Sequence, residues 1–227
     1  MNLHLSEMEL SCSDSVLIFT RRKYSNIVIG VPHHAPAGVE TLPCPKHPVA
    51  DENAGFIGEY IADALEVASV IACNYPIDPN KEMFTDYSQI IISLKPQFLI
   101  EIHGHSKGST NFDVEISSGK RSDQKSQLFA NAITTESQRI DALKDITVSG
   151  DFEKIKLKAN KSKTITTDLW TSFHIELPSE LRIPNCKNSI KPPFEAYYFA
   201  DCIVKAIKII VSQDVNRDHI ERSEKKD

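Results

Sequence analysis

Short apolar runs rich in β-branched residues recur along this chain, and several of them stop abruptly at a histidine or an acidic residue. Residues 98–106 (FLIEIHGHS) set Phe98, Leu99, Ile100 and Ile102 in a run with the character of a strand buried on both faces, ending in two histidines one glycine apart. Residues 26–31 (NIVIGV) form a second run, which delivers Pro32, His33 and His34 into residues 35–48, a stretch whose prolines and glycine predict a loop. In a third run, 169–177 (LWTSFHIEL), His174 and Glu176 share a face, because strand side chains repeat every second residue, and Pro178 closes it. Residues 16–19 predict an edge strand, 67–73 a short strand, and 113–116 a strand with alternating faces.

Between these runs the period changes to that of helices. Ile57, Ile61, Ala64, Leu65 and Ala68 follow helical spacing after Asp51, Glu52 and Asn53, residues that suit a helix start. Residues 84–92 predict a short helix feeding the run at 98. Residues 120–143 predict a surface helix with Leu128, Ala132 and Ile133 on one face and a break near Thr134. The clearest stripe is Phe199, Ile203, Ala206, Ile207 and Ile210, a helix over 194–211. Residues 74–81 hold two prolines and are expected to be irregular. Lys154, Lys156, Lys158, Lys161 and Lys163 alternate with other residues, the pattern of an edge strand guarded against unwanted pairing. Strands alternating with helices predict an α/β fold, a mixed central sheet flanked by helices, in a single domain over 1–212 followed by a charged, frayed tail over 213–227.

A chain of 227 residues buries a substantial core without staples, and 41% hydrophobic with 25% charged residues is the balance of an ordinary globular protein. The net charge of -5 argues against a nucleic-acid partner held on a broad basic surface. Cys12, Cys44, Cys73, Cys186 and Cys202 are odd in number and scattered, which predicts reduced thiols rather than a disulfide framework or a zinc knuckle. With no secretory pattern at the amino terminus and no apolar run of membrane-spanning length, the expectation is a cytoplasmic protein with no membrane partner.

The chemistry-bearing residues lie at or near the ends of the apolar runs: His33 and His34, Asp51 and Glu52, His103 and His105, and Glu176. In open α/β sheets the carboxyl ends of the strands are where ligands bind. A catalytic zinc ion takes three N or O ligands and keeps a position for water, so two of these histidines and one carboxylate meet its requirement. Glu176 is then available to move the water proton. Either second histidine, His34 or His105, would polarise a carbonyl or orient a ligand.

The ordered series VPHHAPAG at 31–38, DENAG at 51–55, NYPIDPNK at 74–81, IEIHGH at 100–105 and HIEL at 174–177 resembles the N-formylglutamate amidohydrolase family. The resemblance spans roughly residues 26–182 and is carried by the order of short motifs. It implies a fold similar to the zinc carboxypeptidases and a hydrolase of the amide bond in a small N-acyl amino acid. By matching position it implies one zinc ion on His33, Asp51 and His103, with Glu52 a close competitor to Asp51. Glu176 falls on the general base and acid, and His105 is the further catalytic candidate, polarising the scissile carbonyl. The family's D-x-N-R turn appears as Asp78, Pro79, Asn80 and Lys81, with lysine where the family has arginine. Asn80, Lys81, His34 and Arg182 are therefore the candidate contacts to a carboxylate-bearing substrate, a lysine offering a point charge where arginine offers a two-pronged grip. The alternative is a binding or regulatory protein that keeps the fold without the activity.

Overall fold

The computed structural model describes residues 8–106, 108–120, 124–184 and 189–224. Cys186 and residues 225–227 lie outside them. Eight strands form one mixed sheet in the order β1-β4-β2-β5-β8-β6-β7, with β3 paired to β2 off this path. The strands are β1 (Val16–Thr20), β2 (Tyr24–Ala35), β3 (Asp51–Glu52), β4 (Val67–Cys73), β5 (Phe98–His105), β6 (Val114–Ser117), β7 (Val148–Ser149) and β8 (Thr171–Pro178). β4, β2, β5 and β8 run parallel, while β1 and β6 join them antiparallel. The helices are α1 (Ala54–Leu65), α2 (Asp86–Leu94), α3 (Lys125–Ser137), the short α4 (Lys163–Thr166) and α5 (Phe194–Glu224).

From central β2 the chain passes through α1 to β4 on one side, then returns through α2 to β5 on the other. Right-handed crossovers in opposite directions put the two helices on opposite faces of the sheet. The sheet order reverses between β2 and β5, and the carboxyl ends of strands at such a switch point are where open α/β sheets bind ligands. One face packs Ile29, Val31, Ile100, Ile102, Phe173 and Ile175 against α1, α3 and α5 in the larger core. The other packs Val28, Val70 and Leu99 against Tyr87 and Ile91 of α2, with Trp170 at its edge.

Several expectations are corrected. β2 does not end at Val31 but continues through Pro32, His33 and His34 with an irregularity before His34; a bulge is where a strand tolerates proline. Asp51 and Glu52 do not cap α1. They form β3, Asp51 paired in parallel with His34, while Asn53 takes the helix-start position at φ 60 without a side-chain cap. The helix stops at Leu65 rather than 68, because Glu66 turns left-handed (φ 54) and β4 begins at Val67. The surface helix is confined to Lys125–Ser137.

The lysine-rich stretch is not an edge strand. Over 154–162 the chain is irregular and lies across the polar part of the second sheet face, where Glu115 accepts the backbone N–H of Lys156 and Leu157 at 2.8 Å and Ser117 donates to the Lys158 carbonyl at 2.6 Å. These side chains satisfy backbone groups that a strand ladder would otherwise pair. The last helix continues past 211 to Glu224, through a stretch without glycine or proline to stop it. Among the described residues, Cys12, Cys44, Cys73 and Cys202 are free, and no helix is long and apolar enough to cross a membrane.

Candidate active site

The second face of β5 reads Leu99, Glu101, His103, apolar in the middle of the sheet and polar toward the carboxyl end. On β8 the pairing register sets Glu101 beside His174 and His103 beside Glu176. β2 delivers His33 from the other side, and β3 holds Asp51. His33 Nδ1 and His103 Nδ1 face each other at 3.3 Å, and Asp51 Oδ2 lies 3.3 Å from His103 Nδ1 and 3.6 Å from His33 Nδ1. All three residues are at most 3% exposed.

Each ring turns its far nitrogen to a further carboxylate: His33 Nε2 lies 3.0 Å from Asp78 Oδ1, and His103 Nε2 lies 3.3 Å from Glu101 Oε2. A carboxylate there keeps the proton on Nε2 and leaves the Nδ1 lone pair facing inward. Burial works against a charged His103, but Asp51 and Glu101 on its two sides outweigh it and push its pKa up to about 10. Burial likewise disfavours the Asp51 carboxylate, yet His103 and His33 hold it below the ordinary carboxylate range.

These residues suit a cation. Donors on a tetrahedral zinc ion at about 2.0–2.1 Å stand about 3.3–3.4 Å apart, close to the three separations here. Asp51 Oδ2 is buried without a hydrogen-bond partner, as are Glu176 Oε2 and His174 Nδ1. A proton between two inward imidazoles satisfies one contact, whereas a divalent ion satisfies all three donors at once.

Beside this triad, Glu176 Oε1 lies 3.2 Å from His174 Nε2, and the His174 ring packs on His103 at 4.0 Å between centroids. Burial pushes the Glu176 carboxyl up to about 8 despite the His103 charge, while burial and the His103 charge keep His174 neutral. The 35–50 loop folds over the opposite side, where the half-buried His47 stacks on His33 at 3.7 Å. His103, His174 and Glu176, and separately His33, His47 and Asp78, form further groups of potential ligands sharing these rings.

The structure brings His33, Asp51, His103 and Glu176 together and gives the other candidates different surroundings. Glu52 does not join the triad, since its carboxylate accepts the Gly38 N–H at 2.6 Å and anchors the loop. His34 is fully buried, with Nε2 at the Leu10 carbonyl and Nδ1 accepting the Gly55 N–H; burial drives its pKa down to about 4. Both nitrogens of His105 meet carbonyls, Asp113 O at 2.8 Å and Ser106 O at 3.1 Å, so its ring ties loop to strand. Asn80 donates to Glu101 at 3.0 Å instead of facing the crevice with its amide nitrogen.

Arg182 is a clamp rather than an open fork. Its guanidinium donates to the carbonyls of Leu177, Glu52 and His105, joining β8, β3 and β5 at their carboxyl ends. It lies where a side chain at position 104 would go, because a Cβ on Gly104 would stand 2.1 Å from Arg182 Cζ. That contact explains the glycine between His103 and His105. Lys81 is half-buried, its charge reaches Asp78 and His174, and among the described residues no hydrogen bond or ion pair engages its ammonium.

Glu101, His47, His174 and Asp78 stand in the site without having been among the candidate site residues drawn from the motifs. Glu101 carried a signal in the strand period, as an acidic residue two positions before His103 in an otherwise apolar run. His47 carried none, since only the loop's fold brings it over His33.

The fold is of the zinc carboxypeptidase and amidase class. The chain is similar to the N-formylglutamate amidohydrolase from Ralstonia eutropha, with 12% identity and a TM-score of 0.56 over 89% of this chain and 98% of that one. A bacteriophage poly-gamma-glutamate hydrolase matches with 12% identity and a TM-score of 0.54 over 92% and 95%. A metallo-carboxypeptidase from Burkholderia cenocepacia matches with 12% identity and a TM-score of 0.50 over 92% of this chain and 68% of that one. No protein-family profile and no curated protein sequence matches. At such identity the likeness is one of fold, so the resemblance drawn from the motifs is matched at the level of this wider class.

Proposed function

We propose that this protein is a metal-dependent amide hydrolase acting on a small N-acyl amino acid or a related carboxylate-bearing amide, of the N-formylglutamate amidohydrolase kind. What carries the reading is the meeting of His33 Nδ1, His103 Nδ1 and Asp51 Oδ2 at the spacing of a tetrahedral site, each ring backed by its own carboxylate. These three residues would hold one zinc or similar divalent ion, which supplies a Lewis acid for the amide carbonyl and brings the pKa of water toward neutrality.

Glu176 is the proton carrier. Its Oε2 is buried without a partner while Oε1 is steadied by His174, and a carboxyl that titrates near neutrality both accepts and returns a proton at working pH. It takes a proton from the attacking water and returns it to the amide nitrogen as the C–N bond breaks, so the products are a carboxylic acid and an amine. Lys81 faces the substrate carboxylate as a point charge, since the Arg182 guanidinium is engaged by three carbonyls.

Metal analysis of the purified protein, followed by a screen of N-formyl, N-acetyl and γ-glutamyl amino acids, tests the proposal. One divalent ion per chain is expected, with hydrolysis that a chelator abolishes and zinc restores. Glu176→Gln keeps the ion and loses turnover by roughly 10²-fold or more. Hydrolysis undiminished in metal-free protein, or no ion bound in a zinc titration, overturns it; an ion bound with no turnover on the whole screen favours the binding-protein alternative.

A further inference from the structure

Glu101 is a carboxylate at 0% exposure in the middle of an apolar strand. Its Oε1 accepts from Tyr87 Oη at 3.0 Å and Thr164 Oγ1 at 2.7 Å, and its Oε2 accepts from Asn80 Nδ2 at 3.0 Å and meets His103 Nε2 at 3.3 Å. Three of these four partners are neutral, and no lysine or arginine among the described residues pairs with it. Of the four, His103 is the partner able to carry positive charge. A buried carboxylate arranged in this way favours that charge on the imidazole, whether a proton or an ion held at the other ring nitrogen supplies it.

The arrangement also has an approach cut for it in the sheet. Tyr87 stands on α2, under the second face, and its hydroxyl reaches Glu101 across β2 at Gly30. A Cβ on Gly30 would lie 2.2 Å from Tyr87 Oη and 3.2 Å from Glu101 Cγ, so any larger residue there would push the hydroxyl off the carboxylate. Thr164 and Asn80 come from two other segments, α4 and the 74–81 turn, and are tied together because the Asn80 carbonyl accepts the Lys163 N–H at 2.9 Å. Four separated pieces of chain thus converge on one carboxylate whose outlet to the site is His103.

We propose that Tyr87 and Glu101, admitted by Gly30, are positioning residues that fix the orientation and tautomer of the His103 imidazole and thereby set how tightly the centre holds its ion. The proposal rests on the metal-centre reading above. Asp78, also buried, stands behind His33 in the corresponding place, with His33 Nε2 at 3.0 Å from its Oδ1. The 74–81 turn therefore serves both rings, with Asp78 directly behind His33 and Asn80 behind Glu101.

The test measures ion affinity by competition with a chromogenic chelator and records the visible absorption of the cobalt-loaded protein, for the wild type and for Glu101→Gln and Tyr87→Phe. Removing an outer partner of a metal-bound histidine costs about 10–100-fold in affinity, which is the loss expected for Glu101→Gln. Tyr87→Phe, which removes a hydroxyl without changing the core volume, is expected to shift affinity in the same direction by several-fold, and both variants to displace the cobalt bands. A merely structural role lowers the unfolding temperature and leaves those bands in place. Should Glu101→Gln fail to fold, Tyr87→Phe decides alone. Wild-type affinity and an unchanged cobalt spectrum in the folded variants overturn the proposal while leaving the metal centre intact, whereas a wild type that binds neither zinc nor cobalt overturns both.

Discussion

The two faces of the central sheet are built from the same strands by alternate residues, and they do different work. On β5, Phe98, Ile100 and Ile102 enter an apolar core under three helices, while Leu99 packs under α2, Glu101 meets Tyr87 of α2 and Thr164 of α4, and His103 joins the cluster of potential ligands. On β8, Phe173 and Ile175 belong to the first face, His174 and Glu176 to the second. The first face is apolar over β2, β5 and β8 and becomes polar near β4, where Ser69 donates to Glu59, itself paired with Arg22. The second starts apolar at β4 with Val70 and turns polar toward β6, where Glu115 is covered by irregular chain rather than by a helix. Burial of one face stabilises the strands strongly enough for the other to carry buried carboxylates and imidazoles, groups whose desolvation opposes folding unless they are paired.

That division is open to attack from either side. The largest stability effect belongs to the apolar face: Phe129 on α3 is fully buried edge-to-face with Phe173 at 4.8 Å, so Phe129→Ala is expected to cost about 3–5 kcal/mol in denaturant unfolding. Metal content is expected to stay at the wild-type level; loss of the ion in the folded variant would show that the faces are not separable.

Arg182 is the seam between them. Arg182→Lys keeps the charge and loses most of three hydrogen bonds to carbonyls, with an expected cost of about 2–3 kcal/mol in the same assay and little change in KM. A rise in KM at unchanged stability would instead assign Arg182 to the substrate. The smallest stability effect is that of Lys81→Met at the half-buried lysine near Asp78 and His174, within about 0.5 kcal/mol of wild type. For carboxylate-bearing substrates it is expected to raise KM about tenfold and to spare ion binding; an unaltered KM removes Lys81 from the substrate site.

Much of the α/β architecture was legible because period-two runs and helical stripes are local properties. The run at 98–105 is a central strand for the reason its composition states, and the parallel order follows from helices placed between strands. The errors fell where a local pattern competes with a partner elsewhere. Asp51 and Glu52 look like helix-capping residues, yet pairing with β2 claims them, and the alternating lysines look like an edge strand until Glu115 and Ser117 take their backbone. In the pairs His33–His34 and His103–His105 the sequence offers four imidazoles. Motif position picks His33 and His103, and the fold sets those two rings face to face while His34 and His105 hold carbonyls.

By itself, then, the sequence determined the alternation of strands and helices, the ends at which chemistry gathers, and the residue types available there, since each depends on neighbours within a few positions. The tertiary structure alone decided that His34 and His105 turn to backbone carbonyls, that Arg182 closes against Gly104, and that Asp78 and Glu101 stand behind the two rings. Those outcomes depend on distances between segments far apart along the chain, and no local period encodes them.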